Sequence, residues 1–289
     1  MKQIKALIKK ELWTHWATMM LPSWFTLGVI VTFLIGLIWA LIQGADLNFF
    51  VNMKSFGNEY DKIVLWGLGL AGPAMLAFLA MLTGTGMADT MLNSGFKKHC
   101  EIFHLSQPVS LPKIIGVKFG LITLGLYLQI VIISLLGVTA AGSYLAIKLG
   151  LSVAYAYTGM LQSLISMFFP FLFVVSFYWM FAGIFKNGSF MKSVAIVAGI
   201  EIARNILNKA TGFHFPSLVA YLGKLAGLGS GVNISLADNK VSSLGNATAD
   251  ATINSVWPML LDEFTLQRIA FSIIFFAAGY WFYSRREIS

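Results

Sequence analysis

Glu201, Arg204 and Asn205 are the residues of this 289-residue chain whose types and spacing most demand an explanation, because they fall in an otherwise apolar run from about Phe190 to Leu207. Residues three and four apart share a helix face, so Glu201 can pair with Arg204 and also reach Asn205, which lowers the burial cost of each charge. At 1.5 Å of rise per residue, Glu201 falls roughly 16 Å beyond the Lys186-Asn187-Gly188-Ser189 turn, near mid-membrane. Two roles suit such a cluster: a self-neutralising pair that holds helices together, or a polar lining for a path between them. The four histidines, His15, His99, His104 and His214, are scattered, and His99 and His104 are one residue too far apart for an i, i+4 metal pair. Cys100 is the sole cysteine, which excludes an internal disulfide and an all-cysteine metal site. No G-x-x-x-x-G-K-[ST] run occurs, and Gly227, Gly229 and Gly231 lack the Lys-Ser or Lys-Thr that a phosphate loop requires. Nor is there a G-x-S-x-G elbow or an H-E-x-x-H pair. The expectation is a chain that is not itself an enzyme, holds no metal and binds no cofactor.

A second stretch carries chemistry of a different kind. From Asp89 to Lys118 the chain reads DTMLNSGFKKHCEIFHLSQPVSLPKIIGVK, a polar hinge between two long apolar runs. Within it, Phe96, Cys100 and Phe103 share one face of a short helix and could enter an apolar cleft, with Lys97, Lys98 and Glu101 around the rim. That is the pattern of a docking surface for a separate protein. A solvated basic loop that only fixes topology would show the same lysines.

The elements that must position these residues follow from composition. Hydrophobic residues make up 57% of the chain and charged residues 11%, far from the balance of a soluble domain. The fold expected is all-α: a single polytopic membrane unit with no internal repeat and six runs of the roughly 20 residues that cross a bilayer. These lie at about 24–42, 63–88, 114–141, 154–185, 190–207 and 268–283. Gly72-Pro73 and Pro170 predict bends in the second and fourth. Residues 2–20 place Ile4, Leu7, Ile8, Leu12, Trp16 and Met19 at helical spacing with Lys2, Lys5 and Lys9 elsewhere, which suits an amphipathic helix in the membrane interface against anionic headgroups. Pro22 is expected to break it. No h-region followed by a cleavage site marks a removable leader. The longest polar segment, 209–262, carries Leu218, Leu222 and Leu225 in a short amphipathic helix.

Charge sets the orientation. Lys2, Lys5, Lys9, Lys10, Lys97, Lys98, Lys113, Lys118, Lys186, Lys192, Arg285 and Arg286 collect on one side of a six-span arrangement, against six lysines spread over longer loops on the other. Positive residues favour the cytoplasmic side, so both termini and the 89–118 hinge are expected inside and 209–262 outside. The net charge of +8 thus reflects topology and gives no reason to expect nucleic acid as a partner.

The basic N-terminal helix, the six spans, the basic loop between the second and third, and the long outer segment before the last together resemble the ABC-2 type (type V fold) permeases, the membrane subunits of ATP-driven exporters. The hinge FHLSQPVSLPKIIGVKF, residues 103–119, is similar to that family's recurring pattern of Pro, a β-branched residue and Ser, followed by a basic residue and a Lys that opens the third span. Pro108, Val109, Ser110, Lys113 and Lys118 are the matching positions. The outer segment is longer than the short re-entrant hairpin common in the family. The resemblance implies an exporter permease in a bacterial inner membrane, working with a second permease copy or paralogue and a cytoplasmic ABC ATPase that holds the ATP and Mg. It also implies that Phe96 to His104 is the coupling helix docked on that ATPase. An ATP-independent secondary transporter or channel is the other reading, and it would call for several ionisable residues within spans.

Overall fold

The structure is a computed structural model, and it describes residues 2–42, 58–97, 110–227, 249–260 and 263–286. Among these residues every regular element is helical. In chain order they are α1 (Lys2–Met19), α2 (Leu21–Ile42), α3 (Asn58–Lys97), α4 (Leu111–Leu149), α5 (Ala154–Ile184), α6 (Ser189–Thr211), α7 (Leu218–Leu225), α8 (Ala249–Ser255), a 3-10 turn (Trp257–Leu260) and α9 (Glu263–Arg286). Four of them, α3, α4, α5 and α9, are long and apolar enough to cross a membrane.

The helices outrun the apolar runs that announce them. Hydropathy reports which solvent a side chain prefers, whereas the backbone ladder continues wherever no breaker stops it. So α3 extends from Asn58 to Lys97 although its apolar stretch covers only about 63–88. Pro73 and Pro170 lie inside α3 and α5 and interrupt neither, each leaving one carbonyl without its usual donor. At α4 the start is set by Ser110 in extended conformation and Pro112 in the first turn, where the missing N–H costs nothing. Two π-helical turns, Leu121–Gly125 and Val138–Gly142, widen α4 along its length.

Small residues bring the central helices together. A Cβ on Gly69 would fall 1.9 Å from the Ala156 carbonyl oxygen, and one on Gly159 would fall 2.2 Å from that of Trp66, so α3 and α5 touch backbone to backbone. Gly183 of α5 meets Gly279 of α9 in the same way. Lipid is as apolar as leucine, so membrane helices associate through close fit of this kind. Around the crossings lies one core that includes Met87, Met91, Ile122, Leu126, Phe171 and Trp179. An aromatic set joins α4, α5 and α9, with Phe119 edge-on to Trp179 and Phe275 against Phe177. By contrast, α2 and α6 sit at the edges and present broad exposed apolar faces.

The N-terminal segment differs in part from expectation. Met20 alone separates α1 from α2, and Pro22 falls in the first turn of α2, a position that tolerates it. The buried stripe of α1 is Leu7, Glu11, His15 and Met19, while Ile4 and Trp16 of the expected apolar side are exposed. Contacts with α4 rise in step: Glu11 faces Lys118, Met19 lies against Gly125, and Gln129 donates to the Met20 sulfur. Hence α1 runs along α4 in the same direction, whereas a helix lying flat in the interface would cross a spanning helix once.

Candidate functional site

The hinge residues Lys98, Cys100, Glu101, Phe103 and His104 lie outside the described residues, as do Pro108 and Val109. Phe96 and Lys97 belong to the last turn of α3. The structure does define the two anchors between which the 98–109 segment is strung.

The first anchor is a buried charge lock. Every fourth residue of a helix returns to the same face, so Leu7, Glu11, His15 and Met19 of α1 line up toward α3 and α4. Glu11 and Lys118 are each 4% exposed. The Lys118 ammonium stands 4.0 Å from the Glu11 carboxylate and donates at 2.7 Å to the Met91 carbonyl of α3. His15 Nε2 lies 3.7 Å from the other oxygen of Glu11. A lone buried ion costs several kcal/mol, about what a well-placed opposite charge and hydrogen bond must offset. Each partner therefore holds the other in place, and α1, α3 and α4 are tied together within the helices that flank 98–109.

The second anchor joins the end of α3 to the α5–α6 turn. Gly188 has φ +65°, the left-handed conformation that turns the chain after Asn187 without a Cβ clash. Ser189 then donates its hydroxyl to Asp89 at 2.7 Å. Asn93 donates to the same Asp89 oxygen at 2.8 Å and to the Phe185 carbonyl at 3.2 Å. Through these contacts α3 and α4, the helices that flank 98–109, are joined to α1, α5 and α6.

At the opposite end of the bundle the Glu201 cluster takes a form the sequence did not announce. Glu201 and Arg204 pair at 2.7 Å, and Arg204 also donates to Asn205 at 2.6 Å and to the Phe215 carbonyl at 2.8 Å. The Glu201 carboxylate turns toward α7, accepting from the Ser217 hydroxyl at 2.8 Å and from the Leu218 N–H at 3.1 Å. These are groups that a helix N-terminus leaves unpaired, and an anion there is favoured by the helix dipole. At the far end of α7 the buried Arg268 of α9 donates to the Leu225 carbonyl at 2.9 Å and the Lys224 carbonyl at 3.0 Å. The cluster thus ties α6 to the start of α7.

A third contact fixes the 249–260 segment. Trp66 Nε1 donates to Gln162 Oε1 at 2.7 Å, and Gln162 Nε2 donates to the Ile253 carbonyl at 2.9 Å. Lys62 bridges Glu59 at 2.8 Å and Asp250 at 3.4 Å. Sequence reasoning singled out neither Gln162 nor Arg268 and passed over Glu11; the lone acid in the basic α1, four residues from His15, was the available signal. Among the described residues no group of three or more His, Cys, Asp and Glu side chains is placed to hold a metal.

No family model, no curated protein and no solved structure matches the chain.

Proposed function

We propose that this chain is the membrane-spanning permease subunit of an ATP-driven exporter, forming the translocation path and taking its power stroke from a separate cytoplasmic ABC ATPase. In this reading α2, with 22 residues and no charge, and α6, whose Glu201 and Arg204 neutralise each other, complete six spans with the four long apolar helices. Both termini and the 98–109 segment then face the cytoplasm of a bacterial inner membrane, and a second permease copy or paralogue packs beside this one. ATP and Mg stay on the partner ATPase.

The observation that carries the reading is the pair of anchors flanking 98–109. A loop whose sole task is topology needs no mechanical attachment. Here the two helices that flank it are bound through Lys118, Glu11, Asp89 and Asn93 to α1, α5 and α6. A partner shifts such a unit between two states only by gripping it differently in each. Differential affinity for nucleotide-bound and free ATPase at Phe96 to His104 would supply that bias.

The test is a mild-detergent pull-down of the tagged protein from its native membrane, followed by assay of the co-purifying proteins for ATP hydrolysis. A stoichiometric ATPase, lost on changing Phe96 and Phe103 to Asp while insertion is retained, is the expected result. A membrane protein without ATPase, under conditions that preserve known complexes, would replace the proposal with an ATP-independent transporter or channel.

A further inference from the structure

A groove of about 720 Å³ runs along α1, beside the buried Leu7–Met19 stripe, and its lining changes character from one end to the other. Lys5 and Lys9, one helical turn apart on a shared face, stand at its head. Beyond them the half-buried Leu12 and Met20 form the floor, and the exposed Trp13 and Trp16 form the rim. Neither lysine has a carboxylate partner among the described residues, the single acid of α1, Glu11, being turned inward to Lys118 and His15.

Orientation decides what fits. Because α1 rises along α4, a helix long and apolar enough to cross a membrane, the groove stands upright with it, its lysines toward the start of α4 and Met20 deeper, beside Gln129. From Lys9 to Met20 the helical rise is roughly 17 Å, a little over half of the ~30 Å hydrocarbon core. The tryptophans next to the lysines have the ring type enriched at the headgroup boundary. A basic head above one leaflet's depth of apolar wall is complementary to an amphiphile with an anionic head and a chain of matching length. A soluble anion would leave the apolar floor unused, and an uncharged hydrocarbon would leave both lysines unused.

We infer that the α1 groove holds one anionic phospholipid, its phosphate on Lys5 and Lys9 and an acyl chain laid along Leu12, Trp16 and Met20. A helix flat in the interface would spread its lysines beneath many headgroups; an upright one gathers these two over a single chain. The site rests on the packing of α1 against α4 and is independent of the exporter reading.

The test places the purified protein in phosphatidylcholine nanodiscs doped with phosphatidylglycerol that carries a diazirine on one acyl chain, and locates the label by mass spectrometry after photolysis. Label should concentrate on residues 8–20, whereas the same chain on phosphatidylcholine should label α1 no more than the lipid-exposed faces of α6 and α9. Lys9→Gln should cut the phosphatidylglycerol label on α1 about fivefold, the scale of one lysine against an anionic headgroup. Lys10→Gln removes the same charge from a neighbour outside the groove and should leave the label unchanged. Both positions are exposed, so neither change disturbs packing. Inorganic phosphate at matched ionic strength should not displace the label. Equal losses from the two variants would mean a diffuse basic face with no discrete site, and equal labelling of α1 by both lipids would remove the headgroup's role; either result overturns the proposal. Displacement by inorganic phosphate would assign the lysines to a free anion and overturn the lipid.

Discussion

Glu201 and Arg268 grip opposite ends of one eight-residue helix: the carboxylate from α6 meets the N-terminus of α7, and the guanidinium from α9 meets its C-terminus. A helix this short is unstable alone, since nucleation fixes several residues before any hydrogen bond compensates. The two charges complement its dipole and satisfy terminal groups at both ends. Tyr221 adds a hydrogen bond to Gln267 of α9 at 2.8 Å. Two sequence-distant helices thereby share a strut.

Substitutions at the strut should rank by burial and by the partners each removes. Glu201→Gln keeps an acceptor for Leu218 and should be the mildest. Arg204→Ala takes the guanidinium from Glu201 and Asn205, while Asn208 still donates to the Phe215 carbonyl, and should cost more. Arg268→Ala leaves the buried Leu225 carbonyl without its donor, the Lys224 carbonyl keeping the Gly227 N–H, and should cost most, about 1–3 kcal/mol. Equilibrium unfolding in mixed micelles measures the order; equal losses for all three would contradict it.

At the charge lock, Lys118→Met alone leaves Glu11 buried beside an apolar chain and should destabilise by about 3–5 kcal/mol. Adding Glu11→Leu should restore the monodisperse fraction on size exclusion toward that of the parent protein, because an apolar pair of similar volume often replaces a buried ion pair without loss. If the double variant is no better than Lys118→Met, the two residues are not partners.

Glycine substitutions should divide by neighbourhood. Gly69→Ala and Gly159→Ala place a Cβ at 1.9 Å and 2.2 Å from carbonyl oxygens of the facing helix and should abolish folded protein or push α3 and α5 apart. Gly86→Ala meets nothing within 4 Å and should be neutral or stabilising by up to about 1 kcal/mol, the difference in helix propensity. Thermal melts of the three variants decide the matter.

Loss of Gln162 should free the 249–260 segment without unfolding the bundle. Gln162→Leu removes the acceptor of Trp66 and the donor to Ile253, at a cost of about 2 kcal/mol. Limited proteolysis should show faster cleavage within 249–260 and unchanged cleavage elsewhere.

What could be read from sequence was local. Apolar length and the Lys-Asn-Gly-Ser breaker placed 154–185 against an observed Ala154–Ile184, and leucines at helical spacing anticipated Leu218–Leu225. The Glu201–Arg204 pair was readable for the same reason, being three residues apart. Partners remote in sequence were not. Lys118 and Glu11 are joined only because α1 rises along α4, and Arg268 finds carbonyls 43 and 44 positions before it. Such pairs leave no period in the chain, since their spacing is set by how helices pack and not by helical repeat.

The backbone crossing of Gly183 and Gly279 leaves neither position room for a side chain, and the Trp179 indole closes it from the α5 side against Gly279. The other end of α5 is clasped in the same manner, Ala156 and Gly159 meeting Gly69 and Trp66 of α3. Asn93 reaches the Ala182 and Phe185 carbonyls beside the Gly183 crossing. Held by close backbone contact at both ends, α5 is a girder between α3 and α9, and a motion of any one of the three would carry the other two with it.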